Sequence, residues 1–126
     1  MTRTQLTLRL PNSPGALAGI CRLLASEHIN IIALSLESSG RLHLIVDNTV
    51  RASGALASHH HQVTADDVLF VSTGNRPGGI TPVLTLVVDA GVNVNYAYGA
   101  GAEGTPSAAI VLGVDDAERA SAMIGT

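Results

Sequence analysis

The alternation of polar and apolar positions opens on "TQLTLRL" (4–10), the period-2 pattern of a half-buried strand. Residues 14–27 then place Leu17, Ile20, Cys21, Leu24 and Ala25 at i, i+3, i+4, i+7 and i+8, a single helical stripe. "NIIALSLES" (30–38) is β-rich, and "LHLIVDN" (42–48) follows it after a turn at Gly40-Arg41. A second helix is predicted over 49–60, weakened by Gly54, with Asp47 just ahead of it as N-cap. "QVTADDVLFVST" (62–73) holds either two strands or one long bent one, with Asp66-Asp67 exposed at the junction. The order β-α-β-β-α-β is the split βαβ, ferredoxin-like pattern. It is followed by β-α-β-β-α, so the expected class is α+β with antiparallel sheets and helices on one face.

The second half repeats the first. "NSPGALAGICRLLASEHINI" (12–31) lies without a gap over "NRPGGITPVLTLVVDAGVNV" (75–94) at an offset of 63. Asn12 falls on Asn75, Pro14 on Pro77, Gly15 on Gly78 and Asn30 on Asn93. Further on, "LHLIVDNTVRAS" (42–53) lies over "IVLGVDDAERAS" (110–121) at an offset of 68. The difference is a five-residue insertion in "GAGAEGT" (99–105). The chain is an internal duplication, with modules expected at 1–66 and 67–126. The second copy stops short of its fourth strand: either that strand is absent or another segment supplies it, since a bare edge is open to pairing.

Composition narrows the function classes. Hydrophobic residues make up 46% and charged residues 13%, a globular balance. A net charge of −3, scattered arginines and three aromatic residues (Phe70, Tyr96, Tyr98) argue against nucleic acid as a partner. No apolar run is long enough for a membrane span, and the N-terminus lacks a signal-peptide core. With its single cysteine, Cys21, the chain is expected to be cytoplasmic.

The junctions "NSPG" and "NRPG" are the candidate chemistry. Pro14 suits the first turn of a helix, Asn12 or Ser13 can cap it, and Gly15 admits close approach to the backbone. Such a loop presents unpaired N–H groups suited to a carboxylate; the alternative is a plain capped helix start.

"LRLPNSPGALAGICRLLASEHINI" resembles the start of an ACT domain, the small regulatory module that binds amino acids, and "STGNRPGGITPVLTLVVDAGVNV" fits the same pattern. The resemblance implies two tandem ferredoxin-like ACT modules, the second lacking its last strand, with no fused enzyme domain. It implies a free amino acid as ligand, held at interfaces between modules, and a homodimer. Carried over residue by residue, the implied binding positions in the first copy are Asn12, Ser13, Pro14, Gly15, Ala16 and Leu17, with Asn30 and Ile31 at the start of its second strand. In the second copy they are Asn75, Arg76, Pro77, Gly78 and Gly79, with Asn93 and Val94. If modules pair antiparallel through their second strands, Asn93 and Val94 face Asn12, Pro14 and Gly15, while Asn30 and Ile31 face Asn75, Pro77 and Gly78. Arg76 replaces Ser13, either to pair with an acidic ligand or as a solvated charge. Two further departures stand out. Pro82 is comfortable only if the helix of the second copy begins near Gly79, and His28 stands where Gly is common, as Gly91 does in the second copy.

The remaining motifs carry no chemistry on this reading. "GAGAEG" (99–104) matches a dinucleotide fingerprint in letters but leads into a strand, so a hairpin loop is expected. "HHH" (59–61) points three ways on a helix and is read as a solvated helix end, not a metal site. Cys21 is read as a core residue, and Asp115, like Asp47, as an N-cap. No catalytic residue, metal or cofactor is assigned. Three functions are carried forward: an amino-acid sensor; a regulatory subunit docking on a metabolic enzyme or transcription regulator without its own ligand; and a small enzyme, for which no constellation can be drawn.

Overall fold

The computed structural model describes residues 1–125; Thr126, where the second module is expected to end, lies outside them. The elements run β1 (Thr2–Arg9), α1 (Ala16–Ser26), β2 (Ile31–Leu36), β3 (Arg41–Val46), α2 (Thr49–Ser58) and β4 (Thr64–Gly74). The repeat follows as α3 (Thr81–Asp89), β5 (Val94–Ala100), β6 (Ser107–Val114) and α4 (Ala117–Ile124). The stretch 62–73, read as two strands or one long bent one, thus holds a single long strand from Thr64 onward. The chain divides into two compact units, a first of Thr4–Asp66 and a second of Met1–Arg3 with Asp67–Thr126.

In the first unit the strands lie in the order β2-β3-β1, all antiparallel. Period-2 alternation puts Leu6, Leu8, Leu42 and Leu44 on one sheet face, where Ile20 and Leu24 of α1 and Ala52 and Leu56 of α2 close over them. In the second unit the order is β4-β6-β5. There Leu69, Ile110 and Leu112 meet Val87 of α3 and Ala117 and Ala120 of α4. Each unit is a sheet with helices on one face, the α+β, ferredoxin-like arrangement expected.

No described strand follows α4. On the outer side of β4, Phe70 N donates to Met1 O at 3.0 Å, and the Arg3 guanidinium sits 5.4 Å from the Phe70 ring centroid. The second unit therefore borrows the start of β1 where the first unit has its own fourth strand. In the first unit, Thr64 Oγ1 at the start of β4 donates to Thr7 O.

The helix starts correct the sequence reading. Neither Asn12 nor Ser13 caps α1: Gly15 is its N-cap, without a side-chain hydrogen bond, and Pro14 lies outside the helix. Asp47 and Asp115 are not N-caps either. One residue on, Asn48 accepts from Arg51 N and Asp116 accepts from Arg119 N. The helix predicted over 49–60 ends at Ser58. Helix α3 begins at Thr81, so Pro82 falls in its first turn, where a missing N–H costs nothing.

Candidate functional site

The two Pro–Gly junctions fold alike. Ala16 N donates to Ser13 O at 3.3 Å, and Gly15, at the third position of that turn, has φ 83° and ψ −6°. Gly79 N donates to Arg76 O at 2.9 Å, and Gly78 has φ 75°. This is the type II turn, with Pro at its second position and a left-handed Gly at its third. The left-handed angle favours glycine at both positions, and the space beyond each is open. Among the described residues, Gly15 N and Leu17 N in the first turn have no protein acceptor, nor do Gly78 N and Ile80 N in the second.

A cleft lies beside each turn. In the first unit it measures about 180 Å³ and is lined by Asn12, Ser13, Gly15, Ala16 and Leu17 together with Leu36, Glu37, Ser38 and Gly40 of the β2–β3 hairpin. Gly40 is required there: its φ is 91°, and a Cβ would collide with Leu10 O. Pro14 and Gly15 also border a wider groove with Arg22, His59 and His61. In the second unit the cleft measures about 380 Å³ and is lined by Asn75, Arg76, Gly78, Gly79 and Ile80, with Ala97 to Gly101 of β5 and its loop. Pro77 stands at the turn between Arg76 and Gly78.

The two asparagines differ in their duties. Asn75 Nδ2 donates to Ala102 O and Thr105 O, both at 2.9 Å, and so holds the inserted Gly-rich loop. That loop is the β5–β6 hairpin, as expected for "GAGAEG". Asn12 is exposed and has no such tether among the described residues.

Asn30, Ile31, Asn93 and Val94 lie at the far end of their own units from these turns, because each helix runs the length of its unit before the next strand begins. Asn30 N donates to Asp47 Oδ1 at 3.0 Å and Asp47 N to Asn30 O at 3.1 Å. Asn93 Nδ2 donates to Asn95 Oδ1, and Asn95 Nδ2 to Asp115 Oδ1 at 2.8 Å. The aspartates read as helix caps thus fasten the starts of β2 and β5. Within one unit these residues do not meet the turns.

One residue the sequence reading left unremarked is His43 on β3. It is buried, and Gln5 Nε2 donates to its Nδ1 at 3.1 Å, with Thr7 Oγ1 at 3.0 Å. A donor at Nδ1 places the ring proton on Nε2, which faces Glu37 Oε2 at 3.7 Å. Burial lowers the His43 pKa from its ordinary value, and Glu37 opposes that shift. Burial likewise raises that of Tyr98, with Tyr96 adding to the rise. Cys21 is half-buried. Among the described residues no group of three or more His, Cys, Asp or Glu gathers to hold a metal ion. No described helix is long and apolar enough to cross a membrane.

The family model described as ACT domain matches residues 4–57. Among solved structures the chain is similar to protein BT0572 from Bacteroides thetaiotaomicron, with 29% identity and a TM-score of 0.89 over 99% of this chain and 88% of that one. It is also similar to the ligand-free regulatory subunit of aspartate kinase from Thermus thermophilus, with 18% identity and a TM-score of 0.69 over 99% of this chain and 92% of that one. A third likeness is to E. coli aspartokinase III in complex with lysine and aspartate, with 19% identity and a TM-score of 0.62 over 98% of this chain and 30% of that one. At such identities the two aspartate kinase likenesses show the fold alone. No curated protein matches the chain.

Proposed function

We propose that this chain, whose residues 4–57 match the ACT domain, is an amino-acid-binding regulatory protein built of two such modules, with its ligand seated beside the Pro–Gly turns. The observation that carries this reading is the twice-built type II turn with unpaired N–H groups beside a cleft. A carboxylate is the natural acceptor for those groups. A second copy of the chain completes each site. When β2 of one copy pairs antiparallel with β5 of another, Asn93 and Val94 of the second copy arrive beside Leu36 and the first turn. Asn30 and Ile31 reach the second turn in the same way. The edge position of both strands leaves them open to this pairing. A ligand touching both copies binds one arrangement better and shifts its population, which is the regulatory step.

The competing reading, a subunit that grips another protein without its own ligand, draws on exposed apolar side chains: Leu34 and Leu36 on β2, and Ile80, Leu84 and Val88 along α3.

A thermal-shift screen of the whole chain against the twenty amino acids separates the two. A ligand at a hundred times its Kd adds about 2.7 kcal/mol, enough to raise Tm by several degrees. At least one amino acid is expected to do so. Silence across the panel from a cooperatively melting protein would transfer the reading to the partner-docking subunit.

A further inference from the structure

The two clefts are not equivalent, and the difference is one of charge. Strand register fixes which residues correspond. Leu36 lies opposite Leu42 as Gly99 lies opposite Ile110, and Leu34 opposite Leu44 as Ala97 opposite Leu112. One step further on, Glu37 N donates to Arg41 O, while Ala100 lies opposite Ala109. Glu37 therefore corresponds to Ala100, as Ser13 corresponds to Arg76. The first cleft has a carboxylate at its rim and no cation among its lining residues. The second has no acid among its lining residues and a guanidinium, Arg76, lying against Gly74. Arg76 is exposed and makes no ion pair among the described residues. Shape follows charge. Leu36 of the first cleft becomes Gly99 in the second, and the volume rises from about 180 to about 380 Å³, into the range of small-molecule sites.

Resting on the amino-acid reading above, we infer that the second-unit cleft is the occupied one, and that it selects an amino acid carrying a second carboxylate on its side chain. The α-carboxylate accepts from Gly78 N and Ile80 N. The side-chain carboxylate takes the Arg76 fork, whose planar donors match a carboxylate in pairs. The first cleft, with Glu37 at its mouth, repels the same ligand.

Calorimetric titration of the whole chain with L-aspartate and L-glutamate, set against L-asparagine and L-glutamine, tests this. At least one acid is expected to bind ten-fold or more tightly than its amide. Arg76→Gln, a change at an exposed side chain, is expected to erase that preference while leaving the amide's affinity in place. Ala97→Leu restores the leucine present at position 34 and is expected to block binding; a thermal melt checks its fold, and Arg76→Gln keeps the test decisive if it does not fold. Equal affinity for acid and amide, or an acid affinity untouched by Arg76→Gln, overturns the selectivity while leaving an amino-acid site standing. No binding by any of these four, together with silence across the twenty in the thermal-shift screen, overturns both.

Discussion

His43 is where burial and charge disagree most within the first unit. Its ring is almost fully enclosed, with Gln5 and Thr7 on Nδ1 and Glu37 beyond Nε2. Desolvation outweighs the nearby carboxylate and lowers the pKa below 6.5. The folded imidazole therefore refuses a proton that the unfolded one accepts. Stability is at full strength above about pH 6.5 and falls as pH drops from there toward the lowered folded value, because the unfolded state binds more protons in that window. Urea melts at pH 7.5 and pH 5.5 are expected to show this loss, and His43→Gln is expected to reduce it. Identical pH dependence in both proteins would place the titration elsewhere. At this scale the sequence was only partly legible. The proline and glycine of each junction stand out in the sequence, but Pro fits both the first turn of a helix and the second position of a β-turn with the same φ. What separates the two is the left-handed angle of the following glycine, which letters do not carry. The caps failed for a similar reason: Asp47 and Asn48, or Asp115 and Asp116, are equally good capping residues, and only the approach of β2 or β5 decides which one is spent elsewhere.

Helix ends explain two histidines that composition left without a role. After α1, His28 N donates to Ala25 O and Ile29 N to Leu24 O; after α2, His60 N donates to Ala57 O and His61 N to Leu56 O. After α3, Gly91 N donates to Val88 O and Val92 N to Val87 O. All three are Schellman motifs, and the residue at the left-handed position has φ 58° in His28, 68° in His60 and 70° in Gly91. The Gly that is common before the "Ile-Asn" step is thus a backbone requirement, met with strain by His28. The "HHH" run is the end of α2 and its turn, with His59 and His60 exposed and His61 half-buried. A left-handed angle costs an L-residue about 1–2 kcal/mol, while glycine adds about 0.5–1 kcal/mol of chain entropy, so relief of strain wins narrowly. His28→Gly and His60→Gly are each expected to stabilise the chain by about 0.5–1 kcal/mol, raising Tm by about 2–5 °C in a calorimetric melt. A lowered Tm would mean that the imidazoles make contacts outweighing the strain. Element order and type were the most legible features, because the 3.6 and 2.0 periodicities of Leu17 to Leu24 and of "TQLTLRL" record which face is buried, although Ala25 at the end of the expected stripe is exposed. The cleft was half legible. Ser13 against Arg76 stood in the alignment, whereas Glu37 at the rim emerges only once the hairpin turns at Gly40.

For the whole molecule, the second unit is assembled from residues far apart in sequence. The first unit closes with the opening residues of β4, but the second copy ends its described chain on α4 with β4 in need of a neighbour. Residues 1–3 belong to that second unit, separated in sequence by the whole of the first. The bond from Phe70 N to Met1 O and the Arg3–Phe70 stacking hold them there. A hydrogen bond contributes about 0.5–1.5 kcal/mol net and an exposed cation–π contact about 0.5–1 kcal/mol, so the segment supplies about 1–2.5 kcal/mol locally. That is about a five- to seventy-fold effect on local opening. Deleting residues 1–3 is therefore expected to speed hydrogen exchange at the Phe70 amide about five-fold or more, while Leu44, paired with Leu6 inside the first unit, keeps its protection. Arg3→Ala alone, which removes the stacking but keeps the backbone bond, is expected to produce a smaller rise. If Phe70 exchanges at an unchanged rate without its N-terminal neighbour, then β4 does not depend on the borrowed residues, and the second unit holds its edge with one strand fewer than the first.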